Sequence, residues 1–117
     1  MNKLIARIMY YTRFLRSSLP FYGIRVPFDG FHLGRTTWTT FKFVYRGDYE
    51  GPEVNALLGL VRKGDRLLEL GGGLGIVSGV AANAADNAHL LIFEANPALN
   101  PHIKTQHKLN GLTNTEN

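Results

Sequence analysis

Three glycines at alternate positions, Gly71, Gly73 and Gly75, stand directly after the short apolar run Arg66-Leu67-Leu68-Glu69-Leu70, and an acid, Glu94, closes the next apolar run, His89-Leu90-Leu91-Ile92-Phe93. Glycine there lets the chain turn sharply, lets a ligand approach the main chain, and lets a following helix close onto its strand. Glu94 lies 23 residues beyond Gly71, near the ~20-residue offset at which a carboxylate accepts hydrogen bonds from ribose hydroxyls. Together these features describe a nucleoside site. The other reading of Glu94 is a surface acid favoured by the N-terminus of the helix that follows it. A dinucleotide fingerprint, Gly-x-Gly-x-x-Gly, fails at its third glycine: counted from Gly71 that position is Ile76, and counted from Gly73 it is Ser78. There is no Gly-Lys-Ser/Thr phosphate loop either.

The elements needed to position these residues can be read from periodicity. Ile76, Val77, Val80, Ala81 and Ala84 follow the glycines at helical spacing, and 83–87 closes that helix. Asn96-Pro97 opens another helix, with asparagine as cap and proline at the first helical position; Asn110-Gly111 stops it, and a third strand begins from Leu112. Strand, helix, strand, helix, strand predicts an α/β fold with parallel strands, whose ligands bind beyond the carboxyl ends where the glycine turn and Glu94 both fall. Upstream, Gly47-Asp48-Tyr49-Glu50-Gly51 reads as a turn, and Pro52 begins a helix carrying Val54, Leu57, Leu58 and Val61 that ends near Lys63-Gly64. Residues 3–16 predict an amphipathic helix whose apolar face, Leu4, Ile5, Ile8, Tyr11 and Leu15, packs on the domain; Ser17, Ser18 and Pro20 break it. Arg13 and Arg16 do not align with Lys3 and Arg7, which argues against a membrane-surface helix. From Phe21 to Tyr45 the composition is β-like, with a hairpin turn at Pro27-Phe28-Asp29-Gly30 and a half-buried strand through Phe41, Phe43 and Tyr45.

The chain has 117 residues and no cysteine, which fits one core and excludes disulfide scaffolds and thiolate zinc sites. No metal site is expected. No apolar run approaches the ~20 residues of a membrane span, so a cytoplasmic protein without a membrane span is the expectation. Residues 1–46 carry eight basic side chains against Asp29 alone, a net +7, while 47–117 carry five basic and eight acidic groups, a net −3. This divides the chain into a basic leader, 1–46, made of helix and β-hairpin, and a domain beginning at 47. The dispersed basic residues make nucleic-acid binding a disfavoured alternative.

At the glycine turn the sequence resembles the class I S-adenosylmethionine-dependent methyltransferases, and more narrowly the FkbM family. Four motifs carry the likeness across 47–117: Gly47-Asp48-Tyr49-Glu50, Lys63-Gly64-Asp65-Arg66-Leu67-Leu68-Glu69-Leu70-Gly71, Phe93-Glu94-Ala95-Asn96-Pro97 and Leu109-Asn110-Gly111-Leu112. The resemblance implies a Rossmann-like class I methyltransferase fold, with S-adenosylmethionine as cofactor and O-methyl transfer to a small-molecule or glycan hydroxyl. It also implies the cofactor-binding set. The main chain of Gly71, Gly72, Gly73 and Gly75 would contact the methionine portion, Glu69 would orient that end, Glu94 would take the ribose and Ala95 would lie beside the adenine. Tyr49 and Glu50 would stand near the cofactor mouth.

No catalytic base is named; His32, His89, His102 and His107 qualify by residue type alone, and the last two are expected on a helix away from the ligand edge. Measured against the family, the chain stops as its third strand begins, which implies a truncated or fragmentary reading frame; were the missing C-terminal half separately encoded, that half would be a partner and the activity would belong to the pair. A non-catalytic fragment is then the principal alternative.

Overall fold

A computed structural model describes residues 3–12, 18–27 and 37–116. In chain order the elements are α1 (Lys3–Tyr11), β1 (Ser18–Phe21), β2 (Ile24–Pro27), α2 (Thr37–Arg46), α3 (Gly51–Leu60), β3 (Arg66–Leu70), α4 (Ile76–Ala84), β4 (His89–Phe93), a 3-10 turn (Pro97–Leu99), α5 (Asn100–Leu109) and β5 (Thr115–Glu116). The class is α/β, as the alternation of patterns predicts.

Strands β3, β4 and β5 form one parallel sheet in that order, with Arg66 opposite His89, Leu70 opposite Phe93 and Leu90 opposite Thr115. Each connection runs through a helix, so the segments leaving β3 and β4 emerge from the same end of the sheet. Leu90 and Ile92 face the helices and bury with Ala82 of α4, Ile103 of α5 and Leu112. On the opposite face Leu68, Leu70 and Phe93 are exposed. The β3–β4 face thus has helical cover on one side among the described residues, whereas a parallel sheet is ordinarily covered on both.

The leader differs from its sequence reading in three ways. First, the antiparallel hairpin is β1–β2, with Ser18 opposite Pro27 and Phe21 opposite Ile24, and it turns at Tyr22-Gly23. Both turn residues have positive φ, 43° and 85°, the combination that matches the twist of a two-residue hairpin. Asp29-Gly30, the expected turn, lies outside the described residues. Second, Phe41, Phe43 and Tyr45 belong to a helix, α2, rather than a strand. Trp38, Phe41 and Tyr45 recur at three and four residues, a spacing that aligns them on one helical face. Their rings stack, Trp38 on Phe41 and Phe41 on Tyr45, each pair 6.3 Å between centroids.

Third, α1 is turned over. Ala6 is buried, and Met9 and Tyr10 pack on the core, while Leu4, Ile5, Ile8 and Tyr11 face outward. The Tyr10 ring sits 5.2 Å from Trp38 and 5.3 Å from Phe41, so aromatic packing onto α2 decides which side goes in. The helix ends at Tyr11, and Leu15, Arg13 and Arg16 lie outside the described residues.

The hairpin is built into the principal core: Leu19, Phe21, Ile24 and Val26 pack with Phe41 and Val44 of α2, Val54 of α3, and Ile76 and Val80 of α4. Asn110 ties the hairpin to α5. Its side chain accepts from the Arg25 N–H at 2.6 Å and donates to the Arg25 carbonyl at 2.8 Å.

Candidate functional site

The turn after β3 depends on backbone that side chains resist. Gly71, Gly73 and Gly75 all have positive φ, 78°, 56° and 77°, the left-handed region that costs an L-residue roughly 1–2 kcal/mol. Gly72 is required for space instead, since a Cβ there would stand 2.4 Å from Ile92 Cγ2. The turn is fastened to the end of β4: the Gly71 and Gly72 N–H groups donate to the Phe93 carbonyl at 2.7 and 3.3 Å.

Glu94 completes the fastening. Its Oε2 accepts from the Gly73 N–H at 2.7 Å and its Oε1 from the Asn96 N–H at 2.9 Å. These main-chain donors, Asn96 first and then Gly73, hold its pKa below the usual carboxylate range. The Ala95 N–H adds a smaller pull in the same direction, and since a carboxylate offers about four acceptor positions, Glu94 keeps capacity for a further donor. The next turn has the asparagine cap the sequence predicts, Asn96 Oδ1 accepting from the Ala98 N–H at 3.0 Å. That cap serves the 3-10 turn, however, and α5 proper begins at Asn100.

On the α3 side of the turn lies a cleft of about 250 Å³, walled by Tyr49, Glu50, Glu53, Glu69, Ile76 and Val77 and floored by Leu70 and Gly71 to Gly73. Six of the nine expected site residues meet here: Tyr49, Glu50, Glu69, Gly71, Gly72 and Gly73. Glu94 joins them through its bond to Gly73, Ala95 is exposed on the adjoining loop, and Gly75 lies deeper, as the left-handed cap of α4. Glu50 is itself left-handed, φ 47° and ψ 42°, at the head of α3, and a non-glycine residue in that conformation is uncommon.

The cleft is acidic. Burial, then the neighbouring Glu53, pushes the Glu69 pKa up to about 7, with a smaller push from Glu94 and an opposing pull from Ser78 hydrogen bonds. The Tyr49 hydroxyl is likewise raised, first by burial and then by Glu50, Glu69 and Glu53. Three carboxylates around one small volume suit a ligand with a cationic group, while the N–H groups of Gly71, Gly72 and Gly73 are already given to Phe93 and Glu94. Among the described residues no cluster of histidine and acidic side chains could hold a metal ion.

Two features of the site escape the sequence reading. Glu53 has a local signal, since Pro52 sets the start of α3 and Glu53 then falls in its first turn, where the helix dipole favours an acid. The second is Gln106 with His107, both buried on α5 against Gly75. His107 is expected away from the ligand edge, but α5, which follows the 3-10 turn Pro97–Leu99, packs Gln106 and His107 against the last glycine of the turn. A Cβ on Gly75 would stand 2.9 Å from Gln106 Oε1 and 3.4 Å from His107 Nε2. Burial lowers the His107 pKa, and the Gly75 peptide favours its protonated form, although neither ring nitrogen reaches a partner with hydrogen-bond geometry. His89 is half-buried at the start of β4 and pairs with Glu116 at 3.3 Å; His102 is half-buried on α5, and His32 lies outside the described residues.

A wider depression of about 520 Å³ lies between the hairpin and the end of α2, lined by Phe21, Tyr22, Arg25, Tyr45 and Arg46 among others. It has room but no acid among its walls. Compared with known proteins, the chain matches no protein family, no curated protein and no solved structure.

Proposed function

We propose that the cleft and the adjoining β4 loop bind S-adenosylmethionine, and that the chain contributes this binding to an O-methyl transfer onto a small-molecule or glycan hydroxyl. The observation that carries the reading is the 2.7 Å bond from the Gly73 N–H to Glu94 Oε2. Through it, a side-chain-free turn and a carboxylate on the neighbouring strand stand side by side at one end of a parallel sheet, where ligands of such sheets bind. Placed at opposite ends, they could not serve one ligand.

The residues fit the group. Glu69 and Glu50 are acceptors for its ammonium, and the glycine main chain leaves room for its carboxylate. The remaining acceptor capacity of Glu94 suits a ribose hydroxyl, and exposed Ala95 offers a small apolar edge to adenine. When bound, the cofactor supplies a methyl group activated by its sulfonium. The task left to the protein is alignment and exclusion of water. An ammonium near Glu69 favours the ionised carboxylate, so the acid kept partly protonated by burial gains its charge as the cation arrives. The Rossmann-like methyltransferase fold belongs to this same proposal.

Calorimetry of the full chain with S-adenosylhomocysteine tests it. Weak saturable binding is expected, reduced about ten-fold or more in Glu94→Gln, since a hydrogen bond to a charged group contributes ~1.5–3 kcal/mol. Absence of binding, or an affinity unchanged in the variant while its thermal midpoint stays put, overturns the reading.

A further inference from the structure

The face that α1 (Lys3–Tyr11) presents outward is as apolar as the face it packs. Leu4, Ile5, Ile8 and Tyr11 are 64, 48, 53 and 70% exposed, and at 100° per residue they occupy one continuous arc of roughly 120°. The opposite side is taken by Ala6, Met9 and Tyr10 against α2, so the helix cannot rotate to bury the arc without giving up the Tyr10–Trp38 and Tyr10–Phe41 contacts. Lys3 and Arg7 lie together on one side of the arc, beyond Tyr11. Arg7 is held in place, its guanidinium 5.7 Å from the Trp38 ring.

We infer that α1 is an interfacial helix, seating Leu4, Ile5, Ile8 and Tyr11 in the surface of an anionic lipid membrane. The argument from charge selects lipid. Residues 1–46 carry a net +7, and although Arg13 and Arg16 do not align with Lys3 and Arg7, an exposed apolar stripe with an aromatic at one end and a cationic flank beside it is what an anionic headgroup layer over acyl chains complements. The mode is peripheral, because a nine-residue helix rises only about 14 Å and no helix among the described residues is long and apolar enough to cross a membrane. The inference does not depend on what the acidic cleft binds.

Flotation of the full chain with vesicles tests it, and Trp38, the one tryptophan, gives a fluorescence signal next to α1. The chain is expected to float with phosphatidylcholine vesicles containing about one-third phosphatidylglycerol and to remain behind with phosphatidylcholine alone. Ile8→Glu should weaken partitioning at least about ten-fold, the cost of withdrawing one aliphatic side chain from an apolar phase. The Lys3→Ala/Arg7→Ala pair should weaken it about 25-fold, at roughly five-fold per basic residue. Tyr11→Glu repeats the test at a second exposed position, and circular dichroism establishes that each variant folds. No flotation with anionic vesicles, or flotation unaltered in folded Ile8→Glu and Tyr11→Glu, overturns the inference. Self-association of the chain that Ile8→Glu abolishes, without flotation, also overturns it and gives the face to a second copy.

Discussion

Glu69 combines two demands in one side chain. It stands on the covered face of β3, where burial resists its charge, and it lines a cleft with two other carboxylates, where Glu53 resists it further. With its pKa pushed from 4.5 to about 7, the folded protein binds this proton more tightly than the unfolded chain does. Stability from Glu69 is therefore complete below about pH 4.5, declines as pH rises, and is lost above about pH 7. Glu69→Gln keeps the shape and removes the titration. Its thermal midpoint is expected to exceed that of the parent by about 4 °C at pH 8, from ~1 kcal/mol after discounting for partial exposure, and to converge with it near pH 5. Melting curves across that range check the prediction; parallel curves would show that Glu69 does not titrate there.

At the scale of elements, what is encoded locally is legible in the sequence. β3, β4 and the turn between β3 and α4 follow from apolar runs punctuated by glycines whose positive φ no other residue accepts cheaply, and Asn96 caps as its side chain requires. The stretch from Trp38 to Arg46 satisfies two periods at once: Phe41, Phe43 and Tyr45 alternate as a strand would, yet Trp38, Phe41 and Tyr45 also recur at helical spacing. Packing on Tyr10 and the hairpin decides between them, and that is tertiary information. The same holds for α1, whose apolar residues were identified correctly but whose covered side depends on where Trp38 lies. At the site, the glycines and both strand-end acids were legible, whereas Gln106 and His107 depend on the path of α5 behind the turn. Strand and helix make opposite predictions for Phe41 and Phe43. A strand places both on one face, while in α2 Phe41 is fully buried and Phe43 exposed. Urea denaturation should show Phe41→Ala losing ~3–5 kcal/mol, as buried aromatic truncations do, and Phe43→Ala losing less than ~1 kcal/mol. Equal losses would restore the strand.

Taken whole, the molecule has two unlike surfaces on one body. The hairpin of the basic leader and helices α2, α3 and α4 share one core, so the +7 and −3 segments are joined by packing as well as by sequence. The acidic cleft belongs to the second segment, and the apolar, cation-bordered face of α1 to the first. The sheet adds a third feature. Leu68 and Leu70 of β3 and Phe93 of β4 lie on the side opposite α4 and α5, with Leu70 opposite Phe93 in register and Leu70 75% exposed. An apolar patch of this kind contributes nothing to the folding of the chain that displays it, because the hydrophobic effect rewards only surface removed from water. Leu68→Lys and Leu70→Gln should then change unfolding free energy by less than ~0.5 kcal/mol each, the range of ordinary surface substitutions. Leu90→Ala, one residue before Leu91 on the same sheet but facing the helices, should lose ~2–5 kcal/mol. Urea denaturation of the three variants checks this. A loss above ~2 kcal/mol for Leu70→Gln would mean that the full chain covers this face, and that the sheet is sandwiched on both sides rather than packed on one.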